Sequence, residues 1–175
     1  MKIFWDIDET LIHSRNYKTE LYEHDFQFCL ENGEEFYTCV RPCAKALIEY
    51  SRSLVGTENV HILTAASFDY AKKIAEKAEW GFTDENIFSR ETIQKYCIRI
   101  QALYGVDKIV SQHPYAHRDN LLIDNLMARW NDEKTKLMGI NQNNYCKVED
   151  YYGDDSDDDI FFDTVKHFMK EKAKA

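Results

Sequence analysis

Three short segments of the chain carry apolar residues on both faces, where a half-exposed strand would alternate, and each breaks off into acidic or hydroxyl residues. They are Lys2-Ile3-Phe4-Trp5-Asp6-Ile7, Val60-His61-Ile62-Leu63 and Asn120-Leu121-Leu122-Ile123. Apolar runs of this length predict strands covered on both faces, as in a parallel sheet between helices. Between them the period lengthens. Leu47, Ile48, Leu54 and Val55 follow a Pro42 start, and Ala71, Ile74, Ala75 and Ala78 recur at spacings of three, four and seven, which is the pattern of amphipathic helices. Strands alternating with helices imply βαβ units, hence an α/β fold with a doubly wound parallel sheet.

Two segments depart from that alternation. From about residue 17 to 40, Phe26, Phe28 and Leu30 precede Asn32-Gly33, and Phe36 and Thr38 follow it on alternating positions. This predicts a β-hairpin that projects over the carboxyl edge of the sheet, where open α/β folds bind ligands. At the other end, Phe161, Val165, Phe168 and Met169 stand at helical spacing and predict a closing helix capped by Asp157 or Asp158. No repeat or linker interrupts the chain. With 175 residues, 44% of them hydrophobic, and only 6 Gly and 2 Pro, residues 1–175 read as a single domain carrying the hairpin as an insertion.

Charge adds one feature. The net charge of −9 is uneven, because seven of the 31 acids fall between Glu149 and Asp159 with no Lys or Arg among them. A general polyanion binder would carry a basic surplus, so nucleic acid is expected only as a substrate end. Asp155, Asp157 and Asp159 alternate as calcium ligands do, but Ile160 and Lys166 stand where such a loop needs Gly and Glu, so the run reads as a solvated loop outside any site. The five cysteines are odd in number and form no Cys-x-x-Cys pair, which suits reduced thiols. Without an apolar run long enough to span a bilayer, a cytoplasmic protein with no membrane partner is expected. The six histidines are scattered and receive no role.

The candidate chemistry lies where the three strands end. Asp6-Ile7-Asp8-Glu9-Thr10, Thr64-Ala65-Ala66-Ser67 and Asp124-Asn125 would meet at one sheet edge. Gathered carboxylates repel one another, and a hard cation such as Mg²⁺ with a few oxygen ligands relieves that repulsion. Lys108 precedes the third strand and could balance the charge of a phosphoryl substrate.

These residues also carry a resemblance. Trp5 to Leu11 resembles the Asp-x-Asp-x-Thr signature of the haloacid dehalogenase (HAD) superfamily of phosphotransferases. With Ile12-His13-Ser14 it is closer to the subgroup of RNA polymerase carboxy-terminal-domain phosphatases and NLI-interacting-factor-like proteins. Val40-Arg41-Pro42, Thr64-Ala65 with Tyr70-Ala71, and Ile123-Asp124-Asn125 are similar to the later motifs of that subgroup, in order. Lys108, sixteen residues before Asp124, stands at a spacing similar to the family's lysine-to-aspartate distance. Leu126-Met127, Ala66 and Ile109 depart from the subgroup pattern.

The resemblance implies a HAD-like, Rossmannoid sheet and a set of roles. Asp6 is the nucleophile that forms an aspartyl-phosphate, and Asp8 is the acid and then the base. Thr10, Thr64, Ala65 and Lys108 contact the substrate, with Thr10 orienting Asp8. Mg²⁺ takes the Asp6 carboxylate, the Asp8 carbonyl and the Asn125 side chain, while Asp124 steers Lys108 or a metal-bound water. The intervals between motifs leave no room for a large cap domain. An open site suits a phosphate on a macromolecule, with protein phosphoserine or phosphothreonine first and a nucleotide or polynucleotide end as the alternative. A non-catalytic binding module of the same fold is the alternative from another class, and the retained Asp6, Asp8, Thr64 and Asp124 speak against it.

Overall fold

A computed structural model describes residues 1–21, 23–101, 107–111, 113–127, 132–154 and 158–174, with backbone alone at 98–101, 107–111 and 132. The chain runs through β1 (Ile3–Trp5), β2 (Ile12–Arg15), β3 (Phe26–Cys29), β4 (Glu35–Val40), α1 (Ala44–Val55), β5 (Val60–Leu63), α2 (Phe68–Lys77) and β6 (Ile87–Phe88). It continues through α3 (Arg90–Tyr96), β7 (Cys97–Gln101), β8 (Asp107–Ser111), β9 (Leu121–Asp124), α4 (Asp132–Leu137), β10 (Tyr145–Lys147) and α5 (Asp158–Ala173). Five strands form one parallel sheet in the order β10-β9-β1-β5-β6. In that sheet Trp5 lies level with Ile62 on one side and Ile123 on the other, so the three apolar runs end at a common edge.

Successive side chains of a strand point to opposite faces, and here each face has its own core. Ile3, Trp5, Ile62, Leu121 and Ile123 pack with Leu47 and Ile48 of α1, Ile74 of α2, and Phe161 and Val165 of α5. Phe4, Leu63 and Leu122 pack on the other face with Ile93 of α3 and with Leu137 and Met138 at the end of α4. The doubly wound α/β arrangement read from the apolar runs is the one observed. Among the described residues no helix is long and apolar enough to cross a membrane.

Three expectations change. The hairpin is present as β3 and β4, with Gly33 at φ +89° in its turn, but β4 also pairs with β2, giving a three-stranded antiparallel sheet, β2-β4-β3. It does not merely project, because Phe28 and Phe36 pack against Tyr70 of α2, with ring centroids 5.6 and 5.2 Å away. A second antiparallel pair, β7 with β8, was not anticipated and packs beside α4. Finally, Asp157 lies outside the described residues, and the Asp158 carboxylate serves another helix. It accepts from the backbone N–H of Cys43 (3.0 Å) at the start of α1 and stands 3.6 Å from the Arg41 guanidinium, where a carboxylate complements the α1 dipole.

Candidate active site at the carboxyl edge of the sheet

The loop leaving β1 winds tightly. The N–H groups of Thr10, Leu11 and Ile12 all converge on the Ile7 carbonyl at 3.2, 2.8 and 3.2 Å, and Glu9 adopts φ +56°. A side-chain-bearing residue in the left-handed region stores strain that its surroundings must offset. The neighbouring contacts do this: Tyr151 N–H donates to the Glu9 carbonyl (2.8 Å) and the Arg41 guanidinium to the Thr10 carbonyl (2.8 Å). Arg41 is itself buried against Phe161, 3.7 Å from the ring centroid. The Arg-Pro step before α1 therefore braces the loop that carries Asp6 and Asp8.

Asp6 is buried and held on both oxygens. Its Oδ1 accepts from Lys134 Nζ at 2.5 Å and its Oδ2 from Thr10 Oγ1 at 3.1 Å. Lys134 also donates to Asp124 Oδ2 at 2.8 Å, so one buried ammonium bridges the carboxylates that end β1 and β9. Thr10 Oγ1 accepts from the Asn125 N–H (3.0 Å) and lies 3.3 Å from Asn125 Oδ1. Its single proton reaches either Asp6 or the Asn125 amide oxygen. Burial pushes the Asp6 carboxyl up, to about 7, against the pull of Lys134. Burial also disfavours the Lys134 ammonium, but Asp6 and Asp124 together outweigh it and hold the lysine protonated.

Asp8 sits in different surroundings. Its Oδ1 accepts from the Tyr70 hydroxyl at 2.5 Å. Tyr70 lies in the first turn of α2, which Ser67 caps by accepting from the Tyr70 N–H, and its ring rests on Phe28 and Phe36. Burial raises the Asp8 pKa, with the Tyr70 hydrogen bond opposing. A raised pKa keeps a carboxylic acid able to donate a proton nearer neutrality.

Of the residues singled out from the sequence, Asp6, Thr10, Asp124 and Asn125 form one hydrogen-bonded group, with Asp8 on the same loop. Thr64 is buried one step past β5 at the same edge, its Oγ1 accepting from the Ala66 N–H (3.1 Å). Ala65 is exposed beside it, and its carbonyl accepts from Arg90 Nε (3.0 Å). Two contacts stand beside the expectations for Thr10 and Lys108. Thr10 orients Asp6 and Asn125, whereas Asp8 is oriented by Tyr70. Lys108 belongs to β8, with its side chain outside the described residues, and the ammonium at Asp6 is that of Lys134, ten residues after Asp124. Lys134 precedes the apolar Leu137 and Met138, both buried, by three and four residues, so it shares their inward face of the turn, although nothing in that spacing names Asp6 as its partner. The acidic run also reaches the site, because Asn125 Nδ2 donates to Asp150 Oδ1 at 2.8 Å.

The donors suit a hard cation. The Asp6 carboxylate, the Asp8 carbonyl and the Asn125 amide oxygen are all oxygens, as Mg²⁺ prefers. Among the described residues no three His, Cys, Asp or Glu side chains cluster to hold a metal.

A parallel sheet whose carboxyl edge gathers the two acids of an Asp-x-Asp loop, a further strand-end aspartate and a buried lysine defines an α/β protein of the haloacid dehalogenase type. The chain belongs to the NLI interacting factor-like phosphatase family, which it matches over residues 1–175. Comparison with curated proteins gives no match. Among solved structures the chain is similar to Fcp1, an essential RNA polymerase II CTD phosphatase, with 15% identity, a TM-score of 0.46, and coverage of 98% of this chain and 50% of that one. It is also similar to a variant of the fission yeast RNA polymerase II CTD phosphatase Fcp1 bound to beryllium fluoride, with 15% identity, a TM-score of 0.49, and coverage of 99% and 52%. The chain spans about half the length of these structures.

Proposed function

We propose that the chain is a Mg²⁺-dependent phosphatase that hydrolyses a phosphate monoester on a protein serine or threonine through an aspartyl-phosphate on Asp6. The observation that carries this reading is the unlike treatment of two acids on one loop. Burial raises the pKa of both, but Asp6 is held beside a fixed ammonium and a threonine hydroxyl, while Asp8 is buried against a phenol. Two carboxyls whose environments separate their roles are what a nucleophile and a general acid require.

In the first displacement, an Asp6 oxygen attacks phosphorus, and Asp8 delivers its proton to the departing alkoxide. Asp8, now ionised, then removes a proton from the water that opens the acyl phosphate and regenerates Asp6. Lys134 takes the charge-balancing role expected of Lys108, because its ammonium already lies against the nucleophile and offsets charge on the transferring group. Thr64 closes the edge from the β5 side, where its hydroxyl can bond a phosphoryl oxygen. Asp6, the Asp8 carbonyl and Asn125 would hold Mg²⁺, with Asp124 fixing Lys134. When bound, the cation neutralises phosphoryl charge and orients the phosphate for attack.

The rim supports this substrate class. Between Thr10 and Thr64 the described residues form β2 to β4, α1, one short turn of helix and the core strand β5, an interval that holds no large cap over the edge. Burial raises the Glu9 pKa, and the nearby charge of Asp150 adds to it. Paired acids at the mouth repel the successive phosphates of a polynucleotide but admit a single phosphorylated residue in a peptide. The test compares an aryl phosphate, phosphoserine and phosphothreonine peptides, and 3′- and 5′-phosphorylated oligonucleotides, with Mg²⁺ and after chelation. Turnover of the aryl phosphate and the peptides is expected with Mg²⁺ alone. Absence of turnover on every ester would overturn the enzyme, and preference for oligonucleotides would overturn the substrate class.

A further inference from the structure

The segment after β10 is fastened to both motif loops. Val148 N–H donates to the Asp124 carbonyl (3.0 Å) and Tyr151 N–H to the Glu9 carbonyl (2.8 Å), while the Tyr151 hydroxyl donates to the Val40 carbonyl (3.1 Å). Between the first two ties stands Asp150. Its Oδ1 accepts from Asn125 Nδ2 at 2.8 Å and its Oδ2 from the Tyr152 hydroxyl at 3.0 Å. An ionised carboxylate only accepts, so the group of Asn125 that faces it must be the NH₂. The amide oxygen is thereby turned the other way, toward Thr10 Oγ1 and Asp6.

We infer that Asp150 is a positioning residue, which locks the Asn125 amide with its oxygen toward the cation position beside Asp6. A free amide could present either end to the site, and the NH₂ end would repel a cation. Partners that orient metal ligands from behind alter metal affinity about 10- to 100-fold when removed. Tyr152 holds the far oxygen of Asp150 and so keeps the carboxylate turned to Asn125. This inference rests on the ligand set proposed above.

The experiment measures Mg²⁺ binding to the full chain by titration calorimetry, alongside thermal melting to show that each variant is folded. Asn125→Ala is expected to weaken Mg²⁺ binding strongly. Asp150→Ala is expected to weaken it about 10-fold, and Asp150→Asn, whose amide oxygen still accepts, to recover most of that loss. Should Asn125→Ala bind Mg²⁺ like the wild type, the ligand set itself fails. Should Asn125→Ala lose Mg²⁺ while Asp150→Ala keeps it within about twofold, the ligand set stands and the role of Asp150 falls. Equal losses in Asp150→Ala and Asp150→Asn would overturn positioning in favour of a direct effect of the carboxylate charge. Asp150 is exposed, and if Asp150→Ala nevertheless melts early, Tyr152→Phe takes its place, with a smaller loss of the same kind expected and none overturning the inference.

Discussion

On the β9 side of the catalytic edge, Asp6 shares a buried ammonium with Asp124, and Thr10 and Asn125 complete a polar network. On the α2 side, Asp8 meets the Tyr70 phenol, whose ring packs on Phe28 and Phe36 and whose hydroxyl also faces the Ser14 side chain. The first half is assembled from β1, β9 and α4, all belonging to the main sheet and its covering helix. The second is assembled from α2 and the three-stranded insertion. A loop with two chemically equal acids thus becomes asymmetric because different parts of the chain reach each of them. Burial shifts both Asp6 and Asp8 toward the neutral acid, and the remaining cost is offset in the charged half by a counter-ion and in the aromatic half by a hydroxyl donor.

The sharpest way to break this division is to remove each acid in turn. Asp6→Asn is expected to lower kcat/KM on an aryl phosphate by about 10⁴-fold or more. Asp8→Asn is expected to keep the first displacement, since an aryl leaving group needs no proton, but to stall hydrolysis. Intact-mass spectrometry would then find a phosphoryl adduct on Asp8→Asn and none on Asp6→Asn, and identical behaviour of the two variants would erase the assigned roles. Next in size is Lys134→Ala, which strands two buried carboxylates without a counter-charge. Urea unfolding is expected to show a loss of about 3–5 kcal/mol, together with loss of turnover. If Lys108 filled the role, the activity loss would follow Lys108→Ala instead. The smallest effect belongs to Tyr70→Phe, which keeps the ring on Phe28 and Phe36 but removes the donor to Asp8. A charged-group hydrogen bond of about 1.5–3 kcal/mol corresponds to a fall in kcat of roughly 10- to 100-fold. KM and melting temperature should change little, and an unaltered kcat would show that Asp8 needs no partner.

The sequence displayed the sheet clearly because both signals were local. Ile3 to Trp5, Val60 to Leu63 and Leu121 to Ile123 are apolar without alternation, and each ends beside its chemistry. The shorter elements were hidden for a physical reason. β6 has two residues and β10 three, too few to show any period, and β2 reads Ile-His-Ser-Arg, with only its first residue, Ile12, buried in the core. Thr10 is legible as part of the motif, but the partner of its hydroxyl is not. The tight turn at Ile7 and Glu9 returns its hydroxyl to Asp6, four residues back, and to Asn125 across the β1–β9 pair.

Lys134 and Asp150 show most plainly where the sequence stops. Periodicity, the Asp-x-Asp-Glu-Thr stretch and the strand-end acids by themselves determined an α/β sheet with a gathering of carboxylates at one edge. They also determined the family to which those motifs point. Only the tertiary structure decided which lysine meets the nucleophile, which hydroxyl holds Asp8 and which member of an acidic run faces Asn125. Each of those choices depends on separation in space between residues 62, 128 and 25 positions apart. Local patterning records which face of an element is buried, whereas the partner across the gap is set by how the elements pack.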